Sequence, residues 1–143
     1  MTYQVIKGRV LVERKACERL WATNKYLVLT HSQKVYLQIR EYLKQEVVEV
    51  AVVERLIQEA LSLEENRLAV VNAYQHIWGY FKKFATDEEK ALFLKLLADY
   101  QKSVIIKETV LIYLSDLLVK YPNAYLEQAS IFKGREMRHE TLA

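Results

Sequence analysis

The sequence predicts an all-α fold: a single-domain bundle of six to seven helices around a central buried helix at about residues 63–85. Three observations lead there. Apolar residues recur at three- and four-residue spacing through most of the chain. Only three glycines and one proline occur in 143 residues, too little punctuation for a sheet of short strands. Hydrophobic residues make up 52% and charged residues 27%, the balance of a globular chain long enough to bury a core without staples.

The elements follow in order. Residues 1–9 carry little pattern and read as a loose arm or the lead-in to a helix. From Val10 to Leu29 the spacing is helical, with Val12, Cys17, Leu20, Trp21, Leu27 and Val28 opposite Arg14, Lys15, Glu18 and Arg19. Thr30 and Gln33 have capping-box spacing, with Ser32 the alternative N-cap. A second helix, Gln33–Lys44, uses Val35, Tyr36, Ile39, Tyr42 and Leu43. After a joint at 44–46, Val47–Leu63 is helical despite its early valines, because Leu56, Ile57, Ala60 and Leu61 keep the three-four rule. Ser62 and Glu65 form a candidate capping box for the central helix, and Thr86 and Glu89 another for a helix from Asp87 to Lys102. A helix from Val104 to Tyr121 is stopped by Pro122, and Asn123 caps a short last one. Residues 133–143 are basic, patternless and expected to be loose, so His139 there is given no role.

Charge and cysteine content exclude several function classes. The net charge is only +3, but residues 1–40 carry eight Lys/Arg against two Glu, and residues 41–70 carry three against seven. Nucleic-acid binding is therefore a minor reading, placed on Arg9, Arg14, Lys15 and Arg19. Cys17 stands alone, so no internal disulfide, iron–sulfur cluster or cysteine zinc site is expected, and its apolar neighbours mark it as an inert core thiol. No signal-peptide core and no membrane-length apolar run occur, which predicts a cytoplasmic location and no membrane partner. A homodimer is compatible with the pattern.

The central helix holds the densest chemistry. Residues 72–84 carry five aromatic side chains. Asn72, His76, Gly79 and Lys83 fall within about 60° of one another on a helical wheel, with Gln75 and Tyr80 on the flanks. They read either as a ligand-binding wall or as satisfied core polar groups beside a glycine that admits a neighbouring helix. His31, at a helix boundary, and Lys25, six residues earlier, are further candidates against capping and solvated alternatives. No metal site is expected, because no His-Glu-x-x-His or similar ligand spacing occurs, and no cofactor motif, phosphate loop or nucleophile elbow is present.

At these residues the chain resembles the YbgA-like family, a bacterial domain of unknown function. Lys25 through Leu29-Thr30-His31-Ser32 to Tyr36 is similar to the family's lysine, apolar run, alanine-histidine-serine and tyrosine. Asn72 through His76 to Gly79-Tyr80-Phe81 is similar to its asparagine, histidine and glycine-tyrosine-phenylalanine run. Weaker likeness through Tyr100, Tyr121-Pro122 and Tyr125-Leu126 extends it over about residues 15–132 of one domain spanning 1–143. The resemblance implies an all-helical accessory domain, found alone or after a thiouracil-desulfurase-like part, which is not expected here. It implies a link to modified nucleobases or thionucleosides. Departures mark a divergent member: Val70 replaces a histidine, Trp21 and Asn24 replace others, and Ser103, Ile106 and Val110 stand where the family has a glycine and prolines.

The sequence thus points first to a non-catalytic module binding a small polar ligand through Lys25, His31, Tyr36, Asn72, His76 and Tyr80. In that reading Lys25 meets an anionic or carbonyl group, Asn72 and His76 read polar edges, and Trp21, Tyr36, Trp78 or Tyr80 stack. The alternative is a small enzyme using His31 or His76 as acid–base on a nucleobase-like or sulfur-containing compound.

Overall fold

The computed structural model describes residues 2–133. Among them lie seven α-helices, a closing 3-10 turn and no strand. Helix α1 spans Tyr3–His31, α2 Gln33–Tyr42, α3 Val50–Leu61, α4 Arg67–Trp78, α5 Asp87–Gln101, α6 Lys107–Lys120 and α7 Ala124–Glu127; the 3-10 turn is Ser130–Phe132. Helix α1 is the spine, against which α2, α3, α4 and the 3-10 turn pack. Helix α4 lies between α1 and the α5–α6 pair. It buries Ala69, Val70, Val71, Ala73, Tyr74, Ile77 and Trp78, seven of its twelve residues. The expected tail at 133–143 falls almost wholly outside the described residues, as does His139.

Local chemistry sets most boundaries. The Thr2 side chain accepts from the Val5 N–H, so residues 3–9 become the first turns of α1. Ser32 closes α1 and opens α2. Its backbone is extended, its N–H donates to Val28 O, and its Oγ accepts from Val35 N at 3.0 Å. The Thr30–Gln33 capping box does not form, because Thr30 turns back to donate to Leu27 O at 2.6 Å and is buried. The Thr86–Glu89 box forms in both directions.

The central helix is shorter than 63–85. Ser62 is spent at the end of α3, where its Oγ donates to Glu59 O at 2.7 Å, and Glu65 pairs with Lys107. The N-cap is Asn66 instead, accepting from Ala69 N at 2.8 Å. After Trp78 the chain tightens into turns with i→i+3 bonds from Tyr80 N to Ile77 O and from Phe81 N to Trp78 O. A Cβ at Gly79 would meet only its own helix's carbonyls, His76 O at 3.1 Å and Gln75 O at 3.9 Å, so no neighbouring helix uses the space it leaves.

Long-range bonds pin the joints. The joint between α2 and α3 runs over residues 43–49, longer than expected. Arg14 of α1 donates to Leu43 O at 3.1 Å, to Gln45 O and to Glu46 O at 3.3 Å. Glu49 makes no side-chain cap for α3, and Glu13 of α1 supplies it by accepting from Val50 N at 2.8 Å. Arg67 reaches across to the end of α5, donating to Tyr100 O, Gln101 O and Ser103 Oγ. There α5 stops in a Schellman motif: Ser103 N–H donates to Tyr100 O and Val104 N–H to Asp99 O, with Ser103 at φ 63°. The position where the resembling family has glycine is thus one that needs the left-handed backbone. Ser103→Gly is expected to be more stable than Ser103→Ala by about 1 kcal/mol, read as a shift in urea midpoint; equal midpoints would refute it.

Glu89 ties α5 to α6. Tyr121 Oη donates to its Oε1 at 2.6 Å, Thr86 N donates to the same oxygen at 2.9 Å, and Lys120 Nζ meets Oε2 at 3.0 Å. Tyr113 Oη donates to its backbone oxygen at 2.9 Å. The Tyr121 hydrogen bond foremost, then the cap and Lys120, hold the carboxyl down at about 2 from its ordinary 4.5. A lowered folded value means this contribution is present above pH 4.5 and is lost as pH falls toward 2. Tyr121→Phe is expected to move the acid-unfolding midpoint to higher pH by circular dichroism. An unmoved midpoint would show that Glu89 does not govern that transition.

Candidate functional site

The six residues singled out by sequence fall into three sets by the contacts they make. Lys25, Tyr36 and Tyr80 gather around a residue that sequence reasoning passed over, Tyr26. The Tyr26 and Tyr80 hydroxyls are 2.7 Å apart, and their rings meet edge to face at 6.2 Å. Burial first, and the Tyr80 hydroxyl second, push the Tyr26 phenol far up, so it stays neutral; Tyr125 and Tyr36 lie near enough to add to that push. Tyr36 is buried, with its ring tilted on Trp21 at 5.2 Å and the Arg40 guanidinium 5.9 Å from its centroid.

Lys25 sits half-buried on this cluster. Its Nζ is 5.2 Å from the Tyr26 centroid and 5.1 Å from that of Tyr125, which stacks on Tyr80 at 6.1 Å. The ring faces attract the ammonium but accept none of its three protons as a carboxylate would. Among the described residues the Lys25 ammonium makes no ion pair and no hydrogen bond. Beside it, Asn24 donates to Leu20 O and accepts from Ser130 Oγ at 3.1 Å, which fastens the 3-10 turn to α1. The cluster therefore draws on α1, α2, the turn after α4 and α7, with the last turn fastened beside it. Tyr80 is carried there because its neighbour Phe81 is fully buried and anchors that turn.

His31 stands in a second place. It is half-buried at the end of α1, and its Nδ1 donates to Leu63 O at 2.6 Å, clipping α1 to the joint before α4. That bond fixes the tautomer and leaves Nε2 as the open nitrogen. Asn72 and His76 form the third group on α4. Asn72 is half-buried and His76 exposed, and neither side chain makes a hydrogen bond among the described residues. The polar stripe is thus outward and unspent; it is not a set of satisfied core groups. No hydrogen bond or ring contact joins these residues or His31 to the tyrosine cluster, nor joins the two histidines.

The aromatic candidates divide as well. Trp78 is buried, stacked on Phe93 at 4.8 Å and 5°, and so serves the core. Trp21 is likewise buried, whereas Tyr80 and Tyr125 remain partly accessible. Val70, which replaces a family histidine, is 1% exposed. It projects about 160° away from Asn72 around α4, so that position faces the core and not the polar stripe. No group of three or more His, Cys, Asp or Glu side chains able to hold a metal occurs among the described residues. Cys17 is buried, and burial raises its thiol pKa. No described helix is long and apolar enough to cross a membrane.

Neither the curated proteins nor the solved structures contain a match to the chain. A family model does match it, the protein of unknown function DUF1722, over residues 25–134. The matched segment begins at Lys25 and takes in all six candidate residues. With more than two-thirds of its length inside that match, the chain belongs to the DUF1722 family, the YbgA-like domain that its motifs resemble.

Proposed function

We propose that this domain is a non-catalytic module that binds a small anionic ligand at Lys25. The observation that carries the reading is the half-buried Lys25 ammonium, held over two tyrosine rings with no carboxylate partner among the described residues. An ammonium placed this way keeps three donors for a carboxylate or phosphate oxygen. The partly accessible rings of Tyr80 and Tyr125 offer apolar area beside it for the planar part of such a ligand. Asn72 and His76, both unspent, are the polar groups available for ligand edges. A nucleoside monophosphate combines these features, and it accords with the link to modified nucleobases that the family resemblance implies.

The first test is a thermal-shift screen of nucleoside monophosphates, their parent nucleosides and small aromatic carboxylates. The expected result is stabilisation by one or more of the anions and a smaller effect or none from the matched neutral compounds. Asn72→Ala and His76→Ala are expected to keep the helical circular-dichroism spectrum and lose the shift. Turnover of any screened compound that disappears in His31→Ala or His76→Ala would replace this reading with an acid–base enzyme.

A further inference from the structure

Among the described residues, the N-terminal third of α1 buries none of its side chains. Tyr3, Ile6, Val10, Cys17, Trp21 and Val28 lie on one stripe by their three- and four-residue spacing. From Cys17 onward that stripe is buried; before it Val10 is half-buried, and Ile6 and Tyr3 are 49% and 76% exposed. The last cross-helix bonds toward the N-terminus are those of Arg14 and Glu13 to the α2–α3 joint. Residues 3–12 extend past them, and Val5, Leu11 and Val12 are exposed too. Such a segment gains little from its own propensity, since it holds four β-branched residues and Gly8, where an added Cβ would meet no atom of another element within 4 Å. It also precedes the family match, which starts at residue 25.

Charge says what covers it. The arm is basic: its Lys7 and Arg9 are exposed and make no ion pair among the described residues. The surface at its base is acidic, with Glu46, Glu49 and Glu54 exposed and unpaired among those residues around an exposed Val47. Arm and acidic joint lie at the same pole of the bundle, because Arg14 and Glu13 bond directly to the joint. A two-fold axis near that pole carries each arm over the other copy's joint, giving one self-complementary interface. We infer that this protein forms a homodimer in which the arm of each copy, residues 3–12, docks its apolar stripe and its Lys7 and Arg9 on the Val47, Glu46 and Glu49 surface of the other.

The test is sedimentation of the full chain at tens of micromolar in low salt, with two charge-reversed variants, Lys7→Glu/Arg9→Glu and Glu46→Lys/Glu49→Lys. Wild type is expected at twice the 16.9 kDa chain mass. Each variant alone places like charges at both contacts and is expected to associate at least about tenfold more weakly. An equimolar mixture pairs opposite charges at both contacts and is expected to recover the dimer. Circular dichroism of each variant verifies that the bundle stays folded. A monomeric wild type at every loading concentration overturns the inference, as does a mixture that associates no better than its parts. An arm that instead binds anionic vesicles or nucleic acid while the chain stays monomeric overturns it in favour of that partner.

Discussion

Phe81→Ala is expected to cost about 3–5 kcal/mol, the largest stability loss of any substitution considered for this chain. Phe81 is fully buried and sits in the turn that follows α4. Its backbone already satisfies that turn: its N–H donates to Trp78 O, and its carbonyl accepts from Phe84 and Ala85. Those bonds survive truncation, so the loss is one of packing, a cavity where α4 leaves the core. Against a total of about 5–15 kcal/mol for a domain, the variant would be marginal. Phe81→Leu keeps most of the volume and should cost less than about 1.5 kcal/mol. Urea denaturation reads both as midpoint shifts at constant slope. A small loss in Phe81→Ala would mean that the turn is held by its hydrogen bonds. In that case the placement of Tyr80 would not depend on this anchor.

The second large effect concerns binding. Lys25→Met keeps a flexible apolar stem over Tyr26 and Tyr125 and removes only the ammonium. Fold stability should change by under about 1 kcal/mol, because the cation–ring contacts of a partly exposed lysine are weak. Affinity for an anionic ligand should fall by about tenfold to a hundredfold, the range for losing a charge-assisted hydrogen bond. Lys25→Arg should recover part of it, since the charge returns with a different donor geometry. A variant that unfolds would instead mark Lys25 as a structural residue of the tyrosine cluster.

These two residues also show how far the sequence could be read. Helix type and number followed from apolar spacing because most of the contacts that define α2, α3 and α5 repeat every three or four residues. The Thr86–Glu89 box was legible for the same reason: both of its bonds close within one turn. The Ser62–Glu65 pair has identical spacing and fails, because Glu65 is claimed by Lys107, 42 residues away. The start of α4 was therefore settled by a tertiary contact that spacing does not encode. The cap of α3 was hidden in the same way, since its acceptor, Glu13, comes from α1.

Lys25 and Tyr80 were visible through the family motifs, but the residue that joins Tyr80 to α1 was not. Tyr26 follows Lys25 directly, and a helical wheel turns the two side chains about 100° apart, which argues against their sharing a feature. Only the fold brings Tyr80 to Tyr26 across 54 positions of chain, and Tyr125 onto Tyr80 from beyond Pro122. The outward direction of Asn72 and His76 was ambiguous for a related reason. A polar stripe on a helical wheel looks the same whether it faces solvent or a satisfied core.

Binding at Lys25 is tested most directly by a nuclear magnetic resonance titration of the full chain that follows the ring signals of Tyr80 and Tyr125. The titrants are nucleoside monophosphates and their parent nucleosides. Binding at Lys25 predicts saturable shifts of both rings with at least one monophosphate, weaker shifts with its nucleoside, and in Lys25→Met shifts that need at least about tenfold more monophosphate to reach the same size. Rings that stay silent to every anion, or shifts that persist undiminished in Lys25→Met, would contradict it.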